Sequence, residues 1–214
     1  MCTESGLSFI QKNANKDEIF GKTVIEIGAR NVNGSCRSYI ESLKPSSYLG
    51  TDIQMGPCVD EICYAENLLK RYGKERFDIL ISLECIEHIK DWQEAISNFK
   101  NILKPNGCLY LTTRSKLFPY HGFPYDFWRF ELDDMSRIFS DLGIEILEKD
   151  NGKWDGVFIK AKKPSNFVET DLSPIRLYSA IKKKRLKNIS NIDVFKFRCI
   201  YNFKKFVKTL ITPN

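Results

Sequence analysis

Short apolar runs alternate along the chain with stretches in which apolar residues recur at helical spacing. The apolar runs predict buried strands at residues 23–27, 47–51, 77–83 and 108–113, and the helical spacing predicts helices over residues 92–103 and 132–142. Because strands and helices alternate, we expect an α/β fold with a mostly parallel sheet that is covered by helices on both faces.

The later part of the pattern predicts a hairpin. Residues 144–148 and 157–161 form two further apolar runs, and a short turn around Asn151-Gly152 joins them. A hairpin at this place would run one strand antiparallel to the rest of the sheet.

The segment Lys162-Lys-Pro-Ser165 predicts a domain boundary. We expect an N-terminal helical segment at residues 1–20, a main domain at 21–163 and a basic helical C-terminal extension at 164–214. Within the extension, residues 174–187 predict a helix with a proline in its first turn. A second apolar stripe follows, formed by Phe203, Phe206, Val207 and Leu210.

The net positive charge of the chain lies in this extension. Residues 165–214 carry 11 Lys and Arg against 3 Asp and Glu, a net charge of +8, whereas the remaining 164 residues carry −2. Three readings stay open for the basic segment. It is a solvated helical cover on the domain, a peripheral contact with an anionic membrane, or a nucleic-acid contact. Nucleic acid ranks last because no RNA-binding signature accompanies the segment.

Composition narrows the class of protein. With 43% hydrophobic and 28% charged residues, the chain has the make-up of a soluble globular protein, and it begins without the pattern of a signal peptide. We expect neither a zinc site nor a disulfide framework, because the chain has seven scattered cysteines, no Cys-x-x-Cys pair and only two histidines. We therefore expect a cytoplasmic protein with no metal site.

The first two strands end in a pattern that is typical of nucleoside binding. The first ends at Glu26-x-Gly28 and the second at Asp52. Glycine lets the backbone turn close to a ligand, and a carboxylate at the next strand end accepts both ribose hydroxyls. Arg30 and Asn33 occupy places where a dinucleotide loop needs glycine, so a pyrophosphate site is not expected. The pattern fits S-adenosylmethionine, and the alternative is a strand-turn-helix without a ligand.

Two longer motifs complete a resemblance to a known family. One is residues 77–89, an apolar strand that closes in Glu84-x-x-Glu87-His88, and the other is residues 103–113 with Lys-Pro-Asn-Gly. Over residues 20–162 the chain resembles a class I S-adenosylmethionine-dependent methyltransferase (methyltransferase type 11-like), of the group that also acts on small molecules and sugars. The resemblance implies a Rossmann-like sheet of seven strands and S-adenosyl-L-methionine as the cofactor.

The resemblance also implies a set of cofactor contacts. Glu26 and Gly28 would face the methionine end and Asp52 the ribose, while Tyr64 stands where the family often has an acid that binds adenine. Arg30 replaces a family glycine, and it either meets the cofactor or an acidic substrate or is a solvated loop residue. The full expected set is Glu26, Gly28, Arg30, Asp52, Ile53, Tyr64, Ala65, Leu83 and Glu84.

A hydroxyl acceptor needs a general base, and the chain offers candidates in two places. Glu84, Glu87 and His88 follow the fourth strand, where His88 is either a base or a structural residue. The aromatic segment 118–130 contains His121, which is the better candidate, with Asp126 as its orienting partner.

We expect the aromatic segment to fold over the site as a lid or wall. The alternative is that Asp126 and Arg129 brace it while Phe127, Trp128 and Phe130 fill the core. Its His-x-x-Pro-x-Asp-Phe-Trp-Arg-Phe pattern resembles that of methyltransferases found beside glycosyltransferases, which implies a saccharide acceptor.

These observations together predict an S-adenosylmethionine-dependent enzyme that methylates an oxygen of a saccharide or another small hydroxylated acceptor. Two alternatives remain. One is an RNA methyltransferase that is guided by the basic extension. The other is a catalytically silent S-adenosylmethionine-binding protein, which the departures at Arg30 and Tyr64 would favour.

Overall fold

The structure is a computed structural model that describes residues 2–122, 125–150 and 155–211 of the chain, with backbone only for residues 204–206 and 208–211. The described part forms ten strands: β1 Thr23–Ile27, β2 Ser47–Asp52, β3 Glu61–Ile62, β4 Phe77–Leu83, β5 Leu103–Arg114, β6 Trp128–Arg129, β7 Gly143–Lys149, β8 Gly156–Lys162, β9 Leu177–Ser179 and β10 Arg185–Leu186.

Seven helices and two short 3-10 turns complete the described secondary structure. The helices are α1 Glu4–Asn13, α2 Lys16–Ile19, α3 Arg37–Ser42, α4 Leu68–Tyr72, α5 Trp92–Ile102, α6 Leu132–Ile138 and α7 Asn191–Ile211. The 3-10 turns span Ala65–Asn67 and Ile86–His88. Among the described residues, no helix combines the length and apolar character that crossing a membrane requires.

Seven strands form one sheet in the order β3-β2-β1-β4-β5-β8-β7. Neighbours from β3 to β5 pair in parallel, whereas β8 is antiparallel to both β5 and β7. The predicted α/β class and the antiparallel hairpin are therefore confirmed, while the predicted turn at Asn151-Gly152 lies outside the described residues. Because β1, β2 and β4 run in parallel, their carboxyl ends meet at one edge of the sheet.

Side chains alternate between two apolar layers, one on each face of the sheet. Ile25 and Leu80 belong to the larger layer, which α5 and α6 cover, whereas Val24 and Ile81 belong to the smaller layer under α1 and α3. A strand exposes successive side chains on opposite faces, so apolar residues at every strand position require helices on both sides. The predicted cover on both faces is confirmed.

The helix predicted over residues 174–187 is wrong. This segment contains β9 and β10, which pair antiparallel and extend β6 into a three-stranded sheet. Ser179 Oγ accepts the amides of Ile181 and Lys182, and Lys183 adopts a positive φ of 57°, so the chain turns back instead of winding into a helix.

The rest of the extension is also built onto the main domain. Leu172, Leu177 and Ile189 are buried in the larger apolar layer. Only after this segment does the extension become helical, as α7. The described part of its predicted apolar stripe includes Phe203, which is exposed, while the side chains of Phe206 and Leu210 lie outside the described set.

Candidate functional site

A cavity of about 420 Å³ opens at the edge where the carboxyl ends of β1, β2 and β4 meet. Seven of the nine residues predicted to contact the cofactor line it, namely Gly28, Arg30, Asp52, Ile53, Tyr64, Ala65 and Glu84. His88, Tyr125 and Phe127 also line the cavity. Seven of the predicted cofactor residues and one predicted catalytic residue, His88, therefore line the same cavity.

Gly28 sits where β1 leaves the sheet, in a conformation that requires glycine. Its φ is +78°, and a Cβ atom added there would lie 2.7 Å from the Sγ atom of Cys85. The Gly28 amide donates to the carbonyl of Thr51 at 2.9 Å. The absence of a side chain thus lets the loop after β1 approach the end of β4 closely.

Asp52 is held at the end of β2 by two backbone amides. Its Oδ2 accepts the amide of Arg30 at 3.2 Å, and its Oδ1 accepts the amide of Gln54 at 3.0 Å. A carboxylate has about four acceptor sites, so both oxygens can accept a further hydrogen bond. Asp52 is therefore fixed in position while it keeps the capacity to bind two hydroxyls.

Arg30 supports the loop beside Asp52. Its Nη1 donates to Oε1 of Gln54 at 2.8 Å, and its side chain lies directly against Gly56. The Arg30 side chain therefore lines the cavity while it is held by Gln54 and Gly56, and it does not extend freely into solvent.

Two large apolar side chains that line the cavity are exposed to solvent. Tyr64 is 54% exposed and Ile53 is 42% exposed. Apolar surface of this size is stabilised when a flat ring covers it. The cavity therefore presents an apolar surface on which a flat ring can pack.

Glu84 closes β4 in a strained conformation at the centre of the site. It adopts a positive φ of 53°, is 2% exposed and forms an ion pair with Arg114. Burial and the carboxylate of Glu87 raise the pKa of Glu84, and Arg114 opposes them. Backbone strain of this kind concentrates at functional sites.

Sequence reasoning did not single out Arg114. Its guanidinium lies 4.4 Å from the centre of the Phe118 ring, which holds it beside Glu84. The available signal was a lone charged residue at the end of the buried strand β5.

Glu26 and Leu83 lie behind the cavity wall. Strand alternation turns the Glu26 side chain away from the layer of Ile25 and Ile27, and its carboxylate accepts from Tyr48 Oη and from Cys36 Sγ. Burial raises the pKa of Glu26 to about 7. The structure therefore does not bring these two predicted residues to the cavity, and Glu26 supports the loop from behind.

The two histidines come together at the end of the cavity that His88 lines. The rings of His88 and His121 lie 4.7 Å apart between centroids. His88 Nδ1 lies 2.5 Å from the carbonyl oxygen of Tyr125, and His121 Nδ1 lies 2.9 Å from Oδ2 of Asp126. Burial lowers the pKa of His88, which keeps its imidazole neutral near pH 7.

Asp126 also braces the aromatic segment. Arg129 donates to its two oxygens at 2.5 and 2.6 Å, and both residues are buried. Phe127, Trp128 and Phe130 are buried in the main core. The bracing alternative is thus present in the structure, and the His121–Asp126 contact occurs together with it.

Helix α7 packs against the outside of this segment. The ring of Tyr120 lies 4.8 Å from that of Phe197 and 4.9 Å from that of Tyr201, and Arg198 donates to the hydroxyl of Tyr125 at 3.0 Å. The predicted lid or wall is therefore held by the basic extension.

Comparison with known proteins gives a family match. A family model described as "Methyltransferase domain" matches residues 8–172, most of the chain. The matched range includes the sheet, the cavity and the aromatic segment.

Curated relatives are more distant and match only in part. The ubiquinone biosynthesis O-methyltransferase of Actinobacillus pleuropneumoniae serotype 5b (strain L20) is 27% identical over 124 residues, which cover 50% of this chain and 51% of the relative. The same protein of serotype 7 (strain AP76) matches equally. The chain thus spans about half the length of the curated relatives it matches.

Solved structures share the fold at low identity. An S-adenosylmethionine dependent methyltransferase from Mesorhizobium loti superposes with a TM-score of 0.57 at 14% identity, covering 74% of this chain and 98% of that one. The 1,6-didemethyltoxoflavin-N1-methyltransferase of Burkholderia thailandensis, solved with bound 1,6-didemethyltoxoflavin and S-adenosylhomocysteine, superposes with a TM-score of 0.56 at 12% identity, covering 75% of this chain and 76% of that one. These similarities confirm the Rossmann-like architecture.

Proposed function

The chain belongs to the methyltransferase domain family, and we propose that it is an S-adenosylmethionine-dependent methyltransferase that methylates an oxygen of a small hydroxylated acceptor, a saccharide first of all. The family agrees with the sequence prediction. The methyl donor, the acceptor, its accepting atom and the roles of individual residues belong to the proposal.

The cavity suits the donor. Asp52 would accept the ribose hydroxyls, Ile53 and Tyr64 would pack on adenine, and the Gly28 turn would pass beside the methionine end. When bound, S-adenosylmethionine supplies a methyl group on a positively charged sulfur, which keeps the carbon–sulfur electron pair when the methyl group leaves. Since the donor is already activated, the protein's part is to align the acceptor and remove its proton.

The observation that carries oxygen methylation is the pair of histidines at the cavity. His88 lines the cavity, its Nδ1 is engaged by the Tyr125 carbonyl, and its Nε2 has no hydrogen-bond partner among the described residues. A neutral imidazole in this position can take the proton of an acceptor hydroxyl as oxygen bonds to the methyl carbon. His121, which the sequence favours for this role, is not among the residues that line the cavity and is therefore the second candidate, with Asp126 as its positioning residue.

The proposed class of acceptor is inferred from the residues that line the cavity near His88. Tyr125 and Phe127 line this end, and flat aromatic surfaces beside a few polar groups suit the faces of a sugar ring. The curated relatives are named O-methyltransferases, which supports oxygen as the accepting atom.

The two alternatives would behave differently. An RNA methyltransferase would use the basic extension and would transfer methyl groups to RNA in a salt-dependent manner. A silent binding protein would bind the donor without turnover on any acceptor.

Calorimetric titration with S-adenosylmethionine and S-adenosylhomocysteine tests the site. We expect micromolar binding by the intact chain and a loss of about tenfold to a hundredfold in Asp52→Ala, which removes charge-assisted hydrogen bonds. The control is Asp17→Ala, which removes an acid from α2, away from the cavity. No binding by folded wild-type protein would contradict the proposed donor site.

The acceptor is tested by assays of methyl transfer to a saccharide panel, with phenols and RNA alongside. Methylated saccharide supports the proposal. Transfer to RNA alone, or binding without any transfer, would favour one of the alternatives.

A further inference from the structure

We propose that Glu87, His88 and His121 form a binding site for a divalent metal cation at the acceptor end of the cavity. The cation site stands on its own geometry. Its role toward the acceptor rests on the proposed function.

Three ligand atoms converge at this place. One carboxylate oxygen of Glu87 and one nitrogen of each histidine all lie within 4.8 Å of one another. Glu87 Oε1 is 3.8 Å from His121 Nε2 and 4.0 Å from His88 Nε2. These separations are too long for hydrogen bonds. Since the third side of this triangle is at most 4.8 Å, the point equidistant from the three atoms lies no more than about 2.5 Å from each of them. That distance is within a few tenths of an ångström of usual metal–ligand distances.

Two of the three converging atoms lack a hydrogen-bond partner in the part of the chain that the structure describes. Glu87 is fully buried, and its Oε2 accepts the hydroxyl of Thr113 at 2.9 Å. Among the described residues, Glu87 Oε1 and His88 Nε2 have no hydrogen-bond partner. A buried carboxylate oxygen without a partner lowers the stability of the folded protein, and a bound cation would offset this loss.

The surrounding groups orient both histidines for metal binding. The Tyr125 carbonyl oxygen engages Nδ1 of His88, and Oδ2 of Asp126 lies 2.9 Å from Nδ1 of His121 as an ion-pair contact. An acceptor beside Nδ1 favours a proton on that atom, which leaves the Nε2 lone pair free for a metal ion. A carboxylate or carbonyl behind a ligating histidine is the usual outer shell of a metal site.

The ligand set indicates the class of cation and its use. Two imidazoles and one carboxylate suit first-row divalent cations, and three protein ligands leave coordination positions open. His88 lines the cavity, so an acceptor hydroxyl could occupy an open position. A cation would lower the pKa of that hydroxyl, so that its proton could pass to solvent water. With a cation bound, the two histidines would serve as ligands in place of the base role proposed above.

The expectation of no metal site rested on cysteine and histidine counts alone. His88 follows β4 and His121 lies in the segment after β5, and the parallel pairing of these two strands brings the residues together. The ligands come from two neighbouring strand ends, so no single local motif contains the site.

Metal binding is tested on the full chain after removal of metal with a chelator. We expect electron paramagnetic resonance to show one bound Mn²⁺ per chain, displaced by Zn²⁺. Glu87→Gln and His121→Asn should each weaken binding by about a hundredfold or more, since both remove a direct ligand. Glu66→Gln is the matched control, because it removes a carboxylate from the same cavity away from the cluster and should keep the bound Mn²⁺.

Thermal unfolding checks that each variant is folded, and the partly exposed His121 keeps the test decisive where Glu87→Gln fails to fold. Absence of stoichiometric Mn²⁺ and Zn²⁺ binding by folded wild-type protein would overturn the site, as would unchanged binding in both variants. Titration with S-adenosylmethionine on the same samples separates the two proposals. Cation binding without donor binding would count against the proposed function alone, and methyl transfer undiminished by chelator would overturn the cation's role.

Discussion

The Nδ1 atom of His121 lies 2.9 Å from Oδ2 of Asp126, and the same carboxylate is held by the guanidinium of Arg129. Burial raises the pKa of Asp126, but the hydrogen bonds from Arg129 and His121 outweigh it and hold that pKa well below its usual range. Asp126 is therefore ionised at neutral pH, and it both braces the aromatic segment and orients His121.

These two functions predict different results for the two partners. Asp126→Asn removes the counter-charge of Arg129, which is 1% exposed, so we expect a loss of about 3–5 kcal/mol in the free energy of unfolding. His121→Asn changes a side chain that is 22% exposed, so we expect a loss of about 1 kcal/mol together with a fall of about a hundredfold or more in kcat. Urea unfolding and initial rates measure both quantities.

Phe118→Leu is the control for this pair of variants. It changes a side chain that contacts the His121 ring, and it leaves His121, Asp126 and Arg129 in place. Equal losses of stability in His121→Asn and Asp126→Asn, with kcat preserved in the former, would mean that His121 only supports the segment.

Local sequence patterns were sufficient to predict the frame of the fold and much of the cavity. Buried strands appear in the sequence as apolar runs, so their positions can be predicted from neighbouring residues alone. Gly28 and Asp52 lie at the ends of two such strands. The family and the mostly parallel sheet are confirmed. Seven of the nine predicted cofactor residues line one cavity, although their contacts with the donor stay predictions.

The features that the sequence did not predict depend on contacts between residues that are far apart in the chain. The direction of Glu26 follows from which face of β1 is apolar, and the pairing of Glu84 with Arg114 follows from the register between β4 and β5. Residues 174–187 have basic and apolar residues that fit a helix, but Leu177 and Ile181 are needed in the core beside β6. None of these relations is encoded within one short window of sequence.

Gly28→Ala should disable the donor site. The new Cβ atom would meet Cys85 Sγ at 2.7 Å and Cys85 Cβ at 2.8 Å, and the positive φ adds strain of about 1 kcal/mol or more. We expect a loss of stability of about 2 kcal/mol and at least tenfold weaker binding of S-adenosylmethionine, measured by thermal unfolding and calorimetry.

The contact with Cys85 makes this prediction specific. Because the clash with Cβ persists when only the sulfur is removed, Cys85→Ala should not rescue Gly28→Ala. Gly21→Ala is the matched control, since Gly21 also has a positive φ but no atom within 4 Å of an added Cβ. Rescue by Cys85→Ala, or an equal loss of donor binding in the control, would contradict the steric explanation.

Glu26 should make the stability of the protein depend on pH. Its pKa is about 7 in the folded state because burial disfavours the charged form, against 4.5 as the ordinary value. A raised carboxyl pKa contributes stability that is fully present below the ordinary value and is lost as pH rises through the folded value. We expect the free energy of unfolding to fall by about 3 kcal/mol between pH 4.5 and 7 through this group alone.

Comparison with Glu26→Gln separates the contribution of Glu26 to the pH dependence of stability from that of the other titrating groups. The difference in the free energy of unfolding between wild type and Glu26→Gln, measured by urea unfolding, should change over this pH range in favour of the variant. Glu4→Gln alters an exposed acid on α1 and should follow wild type. A difference that does not change with pH would mean that Glu26 stays ionised in the folded protein.

The outward face of α7 supports a last prediction, which concerns membranes. Ile192, Phe195 and Phe203 are between 66% and 69% exposed, and they follow one another at helical spacing among Lys and Arg residues. Such a face binds anionic surfaces by combining apolar insertion with charge attraction. We expect the protein to sediment with vesicles that contain phosphatidylserine and less with neutral vesicles. Phe195→Ser and Phe203→Ser should each weaken binding by about tenfold, because each removes a large apolar side chain.

Val168→Ser is the matched control, because Val168 is 81% exposed in the same extension but lies outside α7. It should bind vesicles as wild type does. The opposite side of α7 packs on Tyr120 and Tyr125, so a bound membrane would lie close to the acceptor end of the cavity. Equal sedimentation with neutral and anionic vesicles, or no effect of the two phenylalanine substitutions, would leave α7 as a cover for the aromatic segment alone.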